Sequence, residues 1–250
     1  MNYKPIQSSA SEVWKLAPVA EQFLSIRAGI PLAQEQIAMM LAILSYGGGT
    51  VGRFLDLGCG DGILGAAILG RYPASQGVLA DFSEPMLVQA RKSLQGYASQ
   101  LEFLNVDYAD PAWPQAVQSG GLFDTIVSGY SIHHQPDARK REIYSEIFDL
   151  LKPGGWFVNV EHIAPATELV TEMFESHIIE ARVAEEIRNG GPQTREQITD
   201  AFNSRQDKSV NLLAPIEIQC AWLREIGYQD VDCYLRVYAL AVLAGRRPQA

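Results

Sequence analysis

Apolar residues change their spacing repeatedly along the chain, and these changes divide it into alternating helices and strands. Apolar residues that recur every three or four positions predict two helices, at residues 12–27 and 32–46. Short apolar runs bounded by turn residues then predict strands that alternate with helices. The predicted strands are 53–57, 77–80, 101–106, 123–128 and 156–160, and the helices between them are 63–71, 84–94 and 138–151. Such alternation predicts a mostly parallel sheet with helices on both faces.

The pattern changes after residue 163. Residues 164–215 contain two helical stretches, 167–188 and 194–203, with no predicted strand between them. A further helix at 216–226 leads into two closely spaced apolar runs, 230–236 and 238–244, which predict an antiparallel hairpin. We therefore expect an α/β fold of the Rossmann-like, doubly wound kind. Its mostly parallel seven-stranded sheet would end in an antiparallel C-terminal hairpin, with N-terminal helices and a helical lid.

A chain of 250 residues suits one domain of this kind better than two. We expect a single domain over residues 1–250, composed of N-terminal helices (1–50), a sheet core (51–163), a lid (164–215), and a C-terminal helix and hairpin that complete the sheet (216–250). The predicted lid helices contain more apolar residues than is usual for a segment that is exposed to solvent on all sides. We therefore expect the lid to cover the cleft or a second copy of the chain in a homodimer.

Composition disfavours several classes of protein. Acidic residues exceed basic ones by 29 to 20, and the net charge of −9 disfavours nucleic acid as a partner. We interpret the three consecutive cations at 139–141 as part of a solvated helix face. The three cysteines include no CxxC pair, which predicts neither disulfides nor a metal site. Without a signal-peptide pattern or a long apolar stretch, we expect a soluble, cytoplasmic protein that has no membrane partner.

A glycine-rich turn, GCGDG at residues 58–62, follows the first predicted strand. Ligands of open α/β sheets bind beyond the carboxyl ends of the strands, where the strand order reverses, and glycines let a ligand approach the backbone there. A nicotinamide dinucleotide is one candidate, but its fingerprint requires glycine at the sixth position, where Ile63 stands. Asp56, near the strand end, would also repel a phosphate and therefore favours a cationic ligand.

Residues 54–62, FLDLGCGDG, resemble the first motif of the class I S-adenosylmethionine (SAM)-dependent methyltransferases. Four further segments resemble later parts of that family in the same order: NVDY at 105–108, FDTIVSG at 123–129, LKPGG at 151–155 and WLREIGY at 222–228. The resemblance implies an enzyme that uses SAM as its cofactor and releases S-adenosylhomocysteine (SAH).

The resemblance also implies which residues bind the cofactor. Asp56, Gly58, Cys59 and Gly60 would surround it at the turn. Asp81, at the end of the second strand, would accept hydrogen bonds from both ribose hydroxyls.

The other implied contacts are with the adenine and the methionine parts of SAM. Those residues are Phe82, Met86, Asp107, Tyr108, Ser128 and Gly129. Phe82 and Met86 would flank the adenine, and Asp107 would accept from its amino group. Three structural interpretations stay open: Asp107 as a turn cap, Met86 as a core residue, and Gly62 as a helix-packing position.

SAM carries an already activated methyl group, so catalysis consists mainly of aligning acceptor, methyl and sulfur and of excluding water. A general base is needed only where the acceptor must lose a proton. The candidate catalytic residues follow the fourth and fifth strands: His133 after the fourth, and Glu161 and His162 after the fifth. Glu161 could equally bind an ammonium group of the acceptor.

The acceptor is restricted by a missing signature. Methyltransferases that act on amino groups of bases or proteins carry Asn-Pro-Pro-Tyr or Asp-Pro-Pro-Tyr after the fourth strand, whereas residues 128–131 read SGYS. We therefore expect transfer to an O or N atom of a small-molecule acceptor.

Three alternatives stay open. The plan of N-terminal helices, core and lid also resembles enzymes that make carboxy-SAM, in which Arg195 or Arg205 would bind the extra carboxylate. The second alternative is an NAD-dependent oxidoreductase, and the third is a SAM-binding subunit without catalytic activity.

Overall fold

The computed structural model describes residues 16, 18–20, 24, 30–46, 50–205, 208 and 210–249. Most of the predicted helix at 12–27 lies outside these residues. Within them, seven strands form one sheet: β1 (Arg53–Leu57), β2 (Gln76–Asp81), β3 (Leu101–Asn105), β4 (Phe123–Gly129), β5 (Leu151–His162), β6 (Gln229–Val237) and β7 (Leu240–Arg246). The α-helices are α1 (Ala33–Tyr46), α2 (Ile63–Arg71), α3 (Glu84–Ser93), α4 (Trp113–Val117), α5 (Asp137–Leu150), α6 (Glu168–Arg188), α7 (Arg195–Asn203) and α8 (Ile216–Ile226).

The strand order is β3-β2-β1-β4-β5-β7-β6. Strands β1 to β5 pair in parallel, and β7 pairs antiparallel with both β5 and β6. The predicted fold class is therefore confirmed, including the antiparallel C-terminal hairpin. The order reverses between β1 and β4, so the crevice of a doubly wound sheet opens beyond the carboxyl ends of these two strands.

Two hydrophobic clusters cover the two faces of the sheet. Leu55 and Leu57 of β1 belong to a cluster with Tyr144 of α5, whereas Phe54 belongs to a second cluster with Ile68 of α2. Successive side chains of a strand point to opposite faces, so a short apolar strand with helices on both sides is buried on both. The rigid β1 consequently presents the glycine turn in a fixed position.

Strand β5 differs most from its prediction, since it extends over Leu151–His162 and not only over 156–160. Leu151 already pairs with Phe123, and the register shifts before Thr125 pairs with Trp156. The segment between them bulges out of the ladder, and Gly154 there has a φ of 81°. Glycine adopts a positive φ without strain, so Gly154 accommodates this bulge inside the strand.

The run of cations at 139–141 is only partly solvated, so its interpretation as a solvated face was wrong. Arg139 and Lys140 are buried. The Arg139 guanidinium donates to Glu146 and to the Tyr108 carbonyl, and the Lys140 ammonium donates to Asp137. These partners neutralise charges that the packing of α5 removes from water.

The lid contains α6 and α7, and both begin at threonine caps. The Thr167 side chain accepts from the Val170 amide, and Thr194 forms a capping box with Gln197. Phe174 of α6 packs against Leu240 of β7, which fixes the lid beside the end of the sheet. The division of the chain at 50, 163 and 215 stays a prediction. None of the helices in the described part of the chain has the length and apolar content needed to cross a bilayer.

Candidate functional site

The glycine turn after β1 is attached to the end of β2. The Gly58 amide donates to the Ala80 carbonyl at 2.8 Å, and the Gly60 amide donates to Asp81 Oδ2 at 2.8 Å. Gly58 has a φ of 67°, and a Cβ there would lie 1.9 Å from Ser131 Oγ. No side chain other than hydrogen fits this position, so the turn depends on glycine for packing as well as for its backbone angle.

Gly60 and Gly62 have different surroundings. A Cβ on Gly60 would meet no atom within 4 Å, so the space above it is open. A Cβ on Gly62 would lie 2.6 Å from a methyl carbon of Leu94 and 3.1 Å from one of Leu79. Gly62 therefore serves the packing of α2 on the sheet, and Gly60 is the glycine whose missing side chain leaves room for a ligand.

Asp81 lies at the carboxyl end of β2 and is buried. Its Oδ2 accepts from Gly60, and its Oδ1 accepts from the Ser83 amide at 2.8 Å. Burial raises the pKa of Asp81 to about 6, these amides oppose the shift, and the charge of Asp107 adds to it. Each carboxylate oxygen keeps a second lone pair, so Asp81 can accept two hydroxyl groups besides the two amides.

Asp56 is completely buried behind the glycine turn. Its Oδ2 accepts from the Gly65 amide at 2.9 Å, whereas its Oδ1 has no hydrogen-bond partner among the described residues. Burial raises the pKa of Asp56 to about 8, with smaller contributions in the same direction from the charges of Asp81 and Asp61. A buried carboxyl with an unsatisfied oxygen is suited to pair with a cation that a ligand brings.

Two cavities adjoin the glycine turn, and Gly58, Gly60, Gly129 and Tyr130 contribute to both. The larger, of about 360 Å³, is also lined by Asp56, Cys59, Gln36 and Ile37. The smaller, of about 50 Å³, is also lined by Asp81, Phe82 and Met86. We treat them as the two lobes of one crevice and call them together the turn crevice.

Three predicted cofactor residues are not among those that line the two lobes of the turn crevice. Asp107 accepts from the Ala109 amide at 2.9 Å, so it caps a turn, although its charge acts on Asp81. The Tyr108 hydroxyl is buried against Ser131 Oγ at 2.6 Å. Ser128 donates to the Leu57 carbonyl at 2.8 Å and joins β4 to β1. Their expected contacts with adenine and methionine stay predictions.

Cys59 lines the crevice, and burial raises the pKa of its thiol well above the ordinary value. A thiol that resists ionisation is a poor nucleophile. Cys59 is therefore suited to form an apolar part of the crevice wall, and its chemistry does not favour a covalent role.

A third cavity, of about 310 Å³, lies between the lid and the end of the sheet, and we call it the lid cavity. Its sheet side is formed by His133, His134 and His162. Its lid side is formed mainly by apolar and cationic residues, together with the acidic Glu175: Phe174, Glu175, Ile178, Phe202, Arg182, Arg205 and Lys208. This volume is at the lower end of the range for small-molecule sites.

Tyr130 contributes to the walls of the turn crevice and of the lid cavity. It directly follows β4 and has a φ of 49°, which is uncommon for a residue with a side chain. Its amide donates to the Val160 carbonyl at 2.7 Å, and its hydroxyl donates to Gln36. Strain of this kind is found where a side chain must be held at a functional boundary.

Glu161 and His133 form a buried pair at the sheet side of the lid cavity. Glu161 Oε1 lies 2.6 Å from His133 Nδ1, and it also accepts from the His162 amide at 2.8 Å. Glu161 Oε2 accepts from the His133 amide at 3.1 Å and from Asn159 Nδ2 at 3.2 Å. Burial raises the pKa of Glu161 despite these donors. The geometry favours Glu161 as the residue that positions His133.

His162 lines the lid cavity with its ring 5.6 Å from that of His133 and 5.8 Å from that of Phe174. The two lid arginines that are candidates for binding a carboxylate lie in different places in the structure. Arg195 pairs with Glu180 on the surface, where it is 59% exposed, while Arg205 lines the lid cavity. The structure thus brings together all three candidate catalytic residues but only one of the two arginines.

Sequence reasoning missed Gln36 and Asn159 as parts of the site. Gln36 lies on the buried face of α1 with Met40, Ile43 and Leu44, four, seven and eight positions further on. Asn159 interrupts the apolar run of β5. A polar residue at an apolar position of a helix or strand was the available signal, because buried amides need partners.

Comparisons with known proteins agree with this geometry. The family described as methyltransferase domain matches residues 54–155. A demethylmenaquinone methyltransferase of Thermus thermophilus is 31% identical over 113 residues, which cover 45% of this chain and 48% of that protein. The match thus spans about half the length of this curated relative.

Solved structures share the fold. An O-methyltransferase family protein from Burkholderia thailandensis aligns with a TM-score of 0.62 and 18% identity over 90% of this chain and 59% of that one. Human N-acetylserotonin methyltransferase in complex with SAM aligns with a TM-score of 0.61 and 13% identity. This alignment covers 98% of this chain and 61% of the human protein. These matches, the strand order and the motif order agree, and together they support a class I SAM-dependent methyltransferase domain over residues 54–155.

Proposed function

We propose that the chain binds SAM in the turn crevice and transfers its methyl group to a hydroxyl oxygen of a small acceptor in the lid cavity. The observation that carries this proposal is that His133, whose Nδ1 contacts the buried Glu161, lines the wall of the lid cavity. His134 and Tyr130 line both this cavity and the turn crevice, so the two ligands would meet at that wall.

The residues of the turn crevice fit SAM in three respects. The buried Asp56 oxygen that lacks a partner suits the ammonium group of the cofactor. Asp81 has lone pairs for the two ribose hydroxyls, and the open space above Gly60 leaves room beside them. Neither carboxylate suits the pyrophosphate of a dinucleotide.

The other cofactor contacts that we propose are with the nucleoside and methionine parts. Phe82 and Met86 line the small lobe beside Asp81 and would flank the adenine. Gly129 would approach the methionine part through its backbone, as would Ser128 beside it. Asp107 and Tyr108 would lie near the adenine amino group. When bound, SAM supplies a methyl group activated by the sulfonium, together with SAH as the leaving group.

His133 would act as the general base. With Nδ1 directed at Glu161, the proton of the acceptor hydroxyl would pass to Nε2 while the oxygen forms its bond to the methyl carbon. Glu161 would hold the ring orientation and stabilise the imidazolium that results. The electron pair of the broken carbon–sulfur bond stays on sulfur. His162 would shape the acceptor site next to this base.

The base favours an oxygen acceptor over a nitrogen acceptor. A neutral amine carries its own lone pair and needs no base before attack, whereas a hydroxyl group becomes a good nucleophile only as it loses its proton. A histidine held by a buried carboxylate is a costly arrangement. A histidine base of this kind would speed methyl transfer to an amine very little, because a neutral amine can attack without losing a proton first. The O-methyltransferase family protein with a similar fold also supports oxygen as the acceptor.

The test combines binding with turnover. Calorimetry should show that SAM and SAH bind and that NAD does not. Transfer of labelled methyl from SAM to a panel of small phenols and alcohols should identify an acceptor. With it, His133→Asn should lower kcat by about 10²- to 10⁴-fold at unchanged SAM affinity, since general-base catalysis has this magnitude.

The matched control is His177→Asn, because His177 is an exposed histidine of the lid. It should leave kcat unchanged. Binding of NAD in place of SAM would overturn the proposal in favour of an oxidoreductase. SAM binding without transfer to any acceptor would indicate a silent subunit, and full activity of His133→Asn would exclude His133 as the base.

A further inference from the structure

The lid directs three cations toward the lid cavity: Arg182 from α6, and Arg205 and Lys208 from the segment after α7. The chain as a whole carries a net charge of −9, so this wall has the opposite sign to the average surface. The other lid residues around the cations are mainly apolar, among them Phe174 and Ile178. A cationic wall in an apolar cavity selects ligands by charge.

The three cations are not equivalent. Lys208 pairs with Glu175 at 2.8 Å, and its ammonium lies 4.2 Å from the centre of the Phe202 ring. Arg205 lies over the same ring, with its guanidinium carbon 5.6 Å from the centre. Glu175 therefore neutralises Lys208, whereas the guanidinium groups of Arg182 and Arg205 line the same cavity and lie close enough for the charge of Arg205 to act on Arg182.

Arg182 makes no hydrogen bond or ion pair with any residue that the structure describes. Burial lowers the pKa of its guanidinium, and the nearby charge of Arg205 lowers it further, while Glu185 and Glu186 oppose this shift. Two guanidinium groups that repel each other beside an apolar wall cost stability. An anion bound between them would offset this repulsion.

We propose that the methyl acceptor carries an anionic group, such as a carboxylate, which binds between Arg182 and Arg205. This proposal rests on the proposed function, because it takes the lid cavity as the acceptor site. Guanidinium groups match carboxylates with paired hydrogen bonds and so fix orientation as well as position. With its anion on the lid side, the acceptor would direct its hydroxyl to His133 on the sheet side.

The cavity also restricts the rest of the acceptor. Its volume of about 310 Å³ and its apolar wall suit one ring or a short apolar body between the two polar ends. Asn211 lines the same cavity, and its buried Oδ1 has no hydrogen-bond partner among the described residues. An unsatisfied buried acceptor of this kind favours a ligand that brings a further hydroxyl donor. The structure thus assigns the acceptor to the class of small hydroxylated acids.

The test uses matched pairs of probes that differ in charge. Calorimetry would measure binding of hydroxybenzoates and hydroxycinnamates, and of their neutral amides, to the protein saturated with SAH. We expect at least one acid to bind ten times more tightly than its amide. Arg182→Gln and Arg205→Gln should each remove most of this preference and leave the affinity of the amide within about twofold.

The control variant is Arg195→Gln, which removes a lid arginine that pairs with Glu180 outside the cavity. It should keep the preference for the acid. Equal binding of acids and amides, no binding by any acid, or a preference that persists in both arginine variants would each overturn the proposal. A tenfold loss of SAH affinity in Arg182→Gln would also overturn it, because the cations would then serve the cofactor.

The same experiment separates this proposal from the proposed function. If SAH does not bind the wild-type protein, the proposed function fails before any probe is added. If SAH binds and His133→Asn abolishes transfer while acids and amides bind equally, only the anionic acceptor is excluded.

Discussion

Binding of SAH should release close to one proton at pH 7, because its ammonium group would pair with a carboxyl that is protonated in the ligand-free protein. Burial raises the pKa of Asp56 to about 8. At this pKa about 0.9 of the Asp56 side chains carry a proton at pH 7 and about 0.5 at pH 8. An ammonium beside Asp56 Oδ1 would stabilise the carboxylate and lower its pKa well below 7, so binding expels the proton.

Calorimetry in buffers with different ionisation enthalpies measures this release directly. A ligand without the ammonium group provides the control: methylthioadenosine keeps the adenine and the ribose but lacks the amino acid part of SAH. Asp81, whose pKa is about 6, contributes about 0.1 proton at pH 7 with either ligand. The difference between SAH and methylthioadenosine therefore isolates Asp56.

The expected difference is about 0.9 proton per site at pH 7, falling to about 0.5 at pH 8. Asp56→Asn should abolish it, since asparagine keeps an acceptor for the Gly65 amide but cannot ionise. Equal proton release by the two ligands, or unchanged release in Asp56→Asn, would refute the assignment of the ammonium to Asp56.

Four further predictions concern single residues. Asp81→Asn should weaken SAH binding by about 2–4 kcal/mol, or about 30- to 900-fold in Kd by calorimetry, because charge-assisted bonds to the ribose are lost. Gly60→Val should abolish SAH binding, because the valine side chain would fill the open space above the turn and because Gly60 has a φ of 54°. Circular dichroism should stay native, and an unchanged affinity for SAH would show that the turn is not part of the cofactor site. Glu161→Gln should lower kcat by roughly 10²-fold with KM unchanged, because glutamine cannot stabilise the imidazolium of His133. A loss of SAH affinity as large as the loss of kcat would indicate a structural role for Glu161 instead. In the ligand-free protein, the raised pKa of Asp56 gives stability that is present below pH 4 and is lost as the pH rises through 8. Asp56→Asn should therefore have a larger free energy of unfolding than wild type at pH 8, by up to about 5 kcal/mol in denaturant titrations. Equal stability at pH 8 would contradict the raised pKa.

The sequence predicted the order of the elements because local periodicity determines whether a segment is a helix or a strand. The strand at Arg53–Leu57 and the helix at Ile63–Arg71 have their predicted bounds. The helix at Trp113–Val117 was not predicted, since five residues are too few to show a helical period. Motif order located the turn crevice, because the turn and the residues after β2 and β4 follow directly from the chain order.

Tertiary contacts decided what the sequence left open. Glu161 was a candidate base in the sequence, but four donors surround it, and three of them come from His133 and Asn159. Periodicity cannot show that β4 and β5 place these residues side by side. For the same reason Arg139 and Lys140 seemed solvated, although α5 buries both. Arg182 of α6 meets Arg205 and Lys208 of the segment after α7 at one wall of the lid cavity, and the spacing of these residues in the chain gives no sign of it.

The most direct test of the account is a crystal structure of the protein with SAH. We expect the ribose hydroxyls within hydrogen-bonding distance of Asp81 and the ammonium beside Asp56. The sulfur should face the lid cavity near Tyr130, with His133 on the same side. SAH bound elsewhere, or a sulfur directed away from the lid cavity, would contradict methyl transfer to an acceptor in that cavity.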